Sequence, residues 1–529
     1  MSADGFIISD TPDDTAERKR RPRRAETVAG LLDEVDLWRS PDGIAHASLP
    51  YGSHREHVRV NGKAFREWLS LRFFAEHGAA LSGTAIAECV ALAEARALAS
   101  GTVRRPWRRV ALGDDGAIYL DLGGGDLRGE RRAVRIDPHG WSIVSPGAVP
   151  VVFLRAPDAL PLPEPDRDAA AWGDLGAFLN VRDEQDLILV WGWLLAALRP
   201  FAEGGAYPVL VLHGEQGSGK SLASRMLQGL VDPSTLTGRA LPREERDLFV
   251  SAQNRHVVSF DNLSSINEGF ADCLCRIATG GAFSARTLHT DADETIIGAR
   301  NPLLLNGIPS TLLSRPDLAD RSISIELRRP ETSRSEKEIL AEYEKKRAAL
   351  LGLSLDGLSS ALRNSGRVTI EGEGVRMLDA LHWAEAGAEG LGIEPGRIAA
   401  AWNANRTASD RELVEGDDLA REVVALLDRQ CLAACRAPAA CAPGADGRAT
   451  KCCGRGPAEW KGSPSELHAL LTERVPERVA RGPQWPRNAA GLGVRLRRLA
   501  PALRAVHRIH IDSGKAGADA ARFIRLWRE

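Results

Sequence analysis

At 529 residues the chain is too long for one hydrophobic core, and at roughly 100–200 residues per domain it predicts about three or four domains. Its 69 Lys+Arg against 71 Asp+Glu leave a net charge of −2, so any polyanionic partner must be read from where charge is placed rather than from its sum. No apolar run is long enough to span a bilayer and eight cysteines are few for this length, which excludes an integral membrane protein and a disulfide scaffold and predicts a cytoplasmic protein.

In chain order, residues 1–34 read as a disordered arm whose basic cluster at 18–24 lacks the apolar stretch of a secretory signal. That cluster is either a solvated tail or a nucleic-acid-binding arm. Residues 35–165 read as a mixed α/β domain: strand-like runs at 44–49, 57–60, 118–122, 133–136 and 141–144 surround helical stretches at 63–77 and 82–98. Trp68, Leu69 and Phe73 recur at helical spacing and predict a core face. His54, His57, Arg55 and Arg59 read equally well as a polar cluster or as one strand face with solvated charges. A proline-rich linker covers 156–172, and a helix rich in Trp and Leu, with Trp191 and Trp193, is predicted at 183–198.

The most informative stretch runs from Tyr207 to Ser221: a buried strand at 209–212, a glycine-rich loop, and a helix over 222–230. Gly214, Gly217 and Gly219 permit positive φ, so the loop through Glu215, Gln216 and Ser218 can turn its backbone N–H groups around phosphate oxygens. Lys220 reaches the same phosphates, the Ser221 hydroxyl ligates Mg²⁺, and the helix dipole points at the anion. The spacing G-x-x-x-x-G-K-S, with a strand before it and a helix after it, therefore predicts ATP and Mg²⁺ as cofactors.

About forty residues on, the apolar run 256–262 ends in Asp261 and Asn262. Ligands of a parallel sheet lie beyond the carboxyl ends of its strands, so Asp261 is expected to face Ser221 across the metal; the alternative is an Asp capping the next helix. A third strand at 302–306 ends in Asn306, whose amide is expected to hold a water or a phosphate oxygen. Arg315 and Arg321 follow, the latter directly before an alternating strand at 322–327.

This order of motifs, with a hairpin-like insert at 283–299, resembles the AAA+ core of superfamily 3 helicases, and more closely the helicase-like ATPases of phages, plasmids and integrated elements. The resemblance covers about 180–330. It implies an α/β fold with an AAA+ P-loop NTPase core, a helical lid and an ATPase that drives a DNA helicase. It further implies Lys220 and Ser221 as Walker A residues, Asp261 as the metal carboxylate, Asn306 as sensor, and Arg321, or else Arg315, as arginine finger. The implied assembly is a homo-oligomeric, hexameric ring with single-stranded or forked DNA through its pore. Two positions depart from the family pattern. Asn262 stands where many relatives carry a second acid, leaving Glu268 as another candidate carboxylate, and the hairpin tip over 291–294 is acidic where relatives are basic. Gripping of DNA would then fall to Arg286, His289 or Arg300 on its flanks. The rival reading is a weakly hydrolysing nucleotide switch with a DNA-binding regulatory or anti-phage defence role.

Residues 331–430 read as helices at 335–351, 374–391, 394–406 and 417–431, serving as a lid or as an independent bundle. The segment 431–460 carries Cys431, Cys435, Cys441, Cys452 and Cys453 without zinc-ribbon spacing, and is either a metal site or a linker. The final segment, 461–529, opens with a capping box at Ser463 and Glu466 and a helix to about residue 475. A second helix at 487–499 is expected to present Arg495, Arg497 and Arg498. Strands at 505–511 and 521–527 around a turn at 513–517 complete a winged-helix order. From Arg455 to Glu529 fifteen Lys+Arg oppose seven Asp+Glu, a footprint that fits DNA or, alternatively, a protein contact.

Overall fold

The computed structural model describes residues 30–52, 54–124, 132–167, 170–201, 205–264, 266–286, 294–307, 315–332, 334–370, 377–434, 458–482, 484–516 and 521–528. The chain forms two compact units that divide after Pro106. In the first, an antiparallel sheet of β1 (Asp36–Arg39), β2 (Ala45–Tyr51) and β3 (His54–Arg59) packs against α1 (Lys63–His77) and α2 (Gly83–Ala99). Phe65, Trp68, Leu69 and Phe73 fill its core as the helical spacing predicts. His57 and Trp38 both hydrogen-bond the Ser48 hydroxyl at 2.9 Å, whereas His54 lies 3.4 Å from Glu56, so the polar cluster is split between two separate pairings.

The boundary falls inside the segment read from sequence as one domain, and the reason is packing. Strands β4 (Val110–Leu112), β5 (Ile118–Gly123), β6 (Arg132–Asp137) and β7 (Gly140–Val144) form an antiparallel sheet. Its apolar side, including Ile118, Leu120 and Ile136, joins the core of the second unit. That core is centred on α3 (Glu184–Ala197), which is buried all round: Trp191 and Trp193 are fully covered and donate their indole N–H groups to the carbonyls of Trp172 and Pro208.

Four parallel strands carry the centre of this unit: β8 (Val209–His213), β9 (Val258–Leu263), β12 (Leu303–Gly307) and β13 (Ser322–Glu326), in the order β9-β12-β8-β13. The central strands β8 and β12 open as continuous apolar runs because both faces are covered, as a parallel sheet requires, while edge strand β13 alternates Ser and Ile. Helix α4 (Lys220–Val231) follows β8, and α5 (Glu245–Gln253) leads into β9. Helix α6 (Glu268–Thr279) precedes the antiparallel hairpin β10 (Gly281–Arg286) and β11 (Glu294–Ala299); the acidic tip at 291–293 and His289 lie outside the described residues. A short α7 (Pro316–Ala319) joins β12 to β13. The outer edge of β13 is capped at two points: Asn405 accepts from the Ser324 N–H at 3.0 Å and donates to the Ser324 carbonyl at 2.6 Å, and the Arg182 N–H donates to the Glu326 carbonyl at 3.1 Å.

Behind the sheet stand α8 (Glu336–Asn364), α9 (Leu378–Gly387), α10 (Arg397–Gly416) and α11 (Asp418–Ala434). Helix α8 runs past the expected end at 351, through Gly352 and Gly357. These glycines serve close approach: a Cβ at Gly352 would sit 1.9 Å from the Asp166 carbonyl oxygen, and one at Gly357 2.7 Å from Leu195. At the carboxyl end the chain forms β14 (Glu459–Gly462), α12 (Pro464–Thr472), α13 (Glu477–Ala480), α14 (Ala489–His507), β15 (Ile509–Ala516) and β16 (Ala521–Arg528). The sheet order is β14-β16-β15. Residues 505–507, read as strand, continue α14, because Leu499, Ala502 and Leu503 keep the helical burial period past Pro501. The expected turn at 513–517 is strand up to Ala516.

One buried ion pair ties the phosphate-loop helix to the rest. Asp232, at the end of α4, accepts from Arg109 at 3.0 Å and from the backbone N–H groups of His256 and Val257 at 2.9 and 3.1 Å. The remaining Arg109 nitrogens donate to the carbonyls of Asp121 and Leu160. Asp232→Ala leaves a buried guanidinium and two N–H groups unpaired, so it is expected to cost about 3–5 kcal/mol, read as a lower denaturation midpoint.

Candidate nucleotide and metal site

The carboxyl ends of β8, β9 and β12 converge on the loop from Gly214 to Gly219. That loop folds as its glycines predict: Gly214, Gly217 and Gly219 have φ of 144°, 85° and 85°. Gly214 is further restricted, since a Cβ there would lie 2.1 Å from the Leu327 carbonyl oxygen, just past β13. Glu215, Gln216 and Gly217 are exposed, and Ser218 is buried. The Lys220 ammonium turns back into the loop and donates to the carbonyls of Gly214 and Glu215 at 2.9 and 2.8 Å. Burial, reinforced by the charges of Arg182 and Lys220, pulls the His213 imidazole below its ordinary value, so at neutral pH it adds no charge beneath the loop.

The Ser221 hydroxyl donates to the Asp261 carboxylate at 2.9 Å, bringing together the two residues expected to share a metal. The backbone holds Asp261 in place, because its N–H donates to the Arg239 carbonyl at 2.8 Å. Hydroxyl and carboxylate oxygens are hard ligands of the kind Mg²⁺ takes alongside phosphate oxygens and water. The residues present therefore fit a Mg²⁺–nucleotide. Among the described residues no group of three or more His, Cys, Asp and Glu is placed to hold a metal. Cys431 lies on α11, and Cys435, Cys441, Cys452 and Cys453 lie outside the described residues.

Asn262 is exposed and adopts φ of 55°, a left-handed conformation that Asn tolerates better than most residues. The ladder between β9 and β12 shifts register at this point. The Asn262 N–H donates to Asn306 Oδ1 at 2.7 Å, while Asn306 Nδ2 donates to the Ser224 hydroxyl at 2.9 Å. Asn306 is thus a buried strut joining β9, β12 and α4, where the sequence suggested a group aimed at water or phosphate.

The two arginines occupy other places. Arg315 caps α7 and lies 4.0 Å from Glu268, which also pairs with Arg498 at 2.8 Å. The Arg321 carbonyl accepts from the Val209 N–H, so Arg321 stands at the amino end of the sheet. Five strand residues separate that end from Gly214, about 16 Å, farther than an arginine extends. The Arg321 guanidinium rests on the Asp317 carbonyl at 2.6 Å.

Two residues that the sequence did not single out also reach the loop. Asn180 donates to the Ser218 carbonyl at 3.0 Å, and the chain around it bridges to Leu327 beyond β13. Arg329 lies beside the loop tip: a Cβ at Gly217 would sit 4.0 Å from its Nε. The adjacent pair Arg328 and Arg329, just past a strand that flanks the phosphate loop, was the signal for the second.

A parallel sheet with a glycine loop, a lysine, and a hydroxyl–carboxylate pair offers the groups that a metal-bound polyphosphate would need. Residues 174–392 match the model of a family described as "Actinomycete integrative conjugative element replication protein", and residues 452–529 match that of the "AICE RepA C-terminal domain". The chain is similar to these replication proteins over both segments. No curated protein matches it. Among solved structures, the apo A form of the NrS-1 C-terminal region is 11% identical over 77% of this chain and 79% of that one, with a TM-score of 0.36. Another apo structure of the NrS-1 C-terminal region gives 12% identity over 77% and 80%, with a TM-score of 0.35. JCV helicase bound to a thiazolopyridine-phenoxyphenyl acetamide gives 15% over 44% and 67%, with a TM-score of 0.19. Among the described residues no helix is long and apolar enough to cross a membrane.

Proposed function

We propose that the chain is an ATP-dependent DNA motor of replication, of the AAA+ superfamily 3 type, working as a homo-oligomeric, hexameric ring in the cytoplasm. The observation that carries this reading is the Ser221–Asp261 contact beside a lysine already turned into the glycine loop. Bound ATP–Mg²⁺ supplies the phosphoanhydride whose hydrolysis drives movement. Gly214 to Gly219 cradle its phosphates, and Lys220 neutralises their charge. Ser221 and Asp261 hold the metal. Asn306 fixes the distance between Asp261 and α4 through Asn262 and Ser224. Arg321, too far from the loop of its own chain, serves the loop of a neighbour. The match to replication proteins directs the motor to DNA.

A second reading, a nucleotide switch that hydrolyses weakly, draws on Asn262: an exposed amide follows Asp261 where an acid would accept a proton from water. Hydrolysis and strand displacement separate the two. The motor is expected to hydrolyse ATP faster with single-stranded or forked DNA and to unwind the fork. Binding of ATP without stimulated turnover or unwinding would select the switch.

A further inference from the structure

Two of the three arginines expected to face DNA from α14 are used within the chain, while Arg497 is exposed. Arg495 pairs with Asp417 at the start of α11, and Arg498 pairs with Glu268 at the start of α6. The helix packs along α10 and presents Leu492, Leu496, Leu499 and Leu503 to the carboxyl-terminal core. These contacts make α14 a docking helix.

The outward face of the adjoining sheet has the opposite character. Successive strand residues alternate faces, and Ile524 and Leu526 point into the core shared with α11, α12 and α14. Phe523, Arg525 and Trp527 therefore point away from it. Across the ladders, Trp527 faces His510 and Glu459, Arg525 faces Asp512 and Lys461, and Phe523 faces Gly514. The His510 and Trp527 rings stack at 5.2 Å with planes 18° apart. The Arg525 guanidinium lies 4.9 Å from the Trp527 ring centre, and the Lys461 ammonium 5.5 Å from that of Phe523. Gly514 makes room for the Phe523 ring, which a Cβ there would meet at 3.1 Å. Glu459 takes both forks of Arg525 at 2.8 and 3.0 Å, and Asp512 stands opposite the same arginine. The segment from Arg455 to Glu529 carries a surplus of eight positive charges.

We propose that this face is a stacking platform for single-stranded DNA. Phe523 and Trp527 stand four residues apart on one strand, about 13 Å, with cations beside both rings. Flat rings with adjacent cations accept unstacked bases and their phosphates, whereas a duplex offers no base face to such a surface. The inference deepens the DNA-directed reading above and rests on it, while assigning the contact to the sheet rather than to a recognition helix.

The test uses the full-length protein and fluorescein-labelled oligothymidine, with affinity read by anisotropy. Phe523→Ala with Trp527→Ala is expected to weaken binding at least about tenfold. Trp527→Phe retains most of the affinity, and Arg498→Gln binds like the parent. Equal affinity of the double variant and the parent, at an unchanged thermal midpoint, overturns the proposal. So does a Trp527→Phe variant as weak as Trp527→Ala. Weakened self-association with oligonucleotide affinity intact would make the face a protein contact and also overturns it. A parent that hydrolyses ATP but binds no oligonucleotide sinks the platform and leaves the nucleotide site standing. Platform-dependent binding without ATP hydrolysis supports the platform and sinks the motor.

Discussion

Lys220→Ala is expected to abolish ATP hydrolysis, with a loss of at least about 10²–10³-fold, the scale on which preorganised charge at a phosphoryl site acts. The ammonium is the cation that the loop draws inward, held by the Gly214 and Glu215 carbonyls, and alanine removes it without touching the backbone that shapes the cradle. The loop keeps its other restraints, the Asn180 amide on the Ser218 carbonyl and the close approach of Gly214 to Leu327. The thermal midpoint should therefore stay near that of the parent. Steady-state phosphate release, read beside nucleotide binding, checks this; parental turnover in the variant would end the motor reading.

Arg321→Ala should cost about 10³–10⁵ in hydrolysis rate, the range measured where an arginine neutralises a transferring phosphoryl group. Its position makes a sharper statement than the size of the effect. Standing at the amino end of the sheet, about 16 Å from the loop of its own chain, Arg321 can serve only a second molecule. ATP affinity of the variant should then match that of the parent. Equal mixtures of Lys220→Ala and Arg321→Ala protein should recover activity that neither has alone, because mixed contacts pair an intact loop with an intact arginine. Parental turnover of Arg321→Ala beside an inactive Arg315→Ala would move the role to Arg315.

The geometry of the candidate phosphate site was legible in the sequence because it is local. The glycines, lysine and serine fall within eight residues, and the strands that position Asp261 and Asn306 are mostly apolar. What the sequence withheld depends on distant partners. Asn306 read as a group facing the ligand, and only the fold brings the Asn262 N–H and Ser224 to either side of it. Arg495 and Arg498 share a helix face as their spacing predicts, yet that face meets Asp417 and Glu268, far away in sequence. Strand β14 is four residues long and alternates without an apolar run, so its pairing with β16 had no local signal. Likewise, nothing near residue 107 announces that the sheet of β4 to β7 packs in the second unit, because the partners are α3 and α8.

The Asn405 amide on Ser324 has a consequence for assembly. By mimicking a strand's own donor and acceptor, it occupies the rim where β13 would otherwise template another chain. With the Ser324 groups and the Glu326 carbonyl already taken, that border disfavours backbone pairing with a second copy. A junction made there would rest on side chains rather than on an extended sheet.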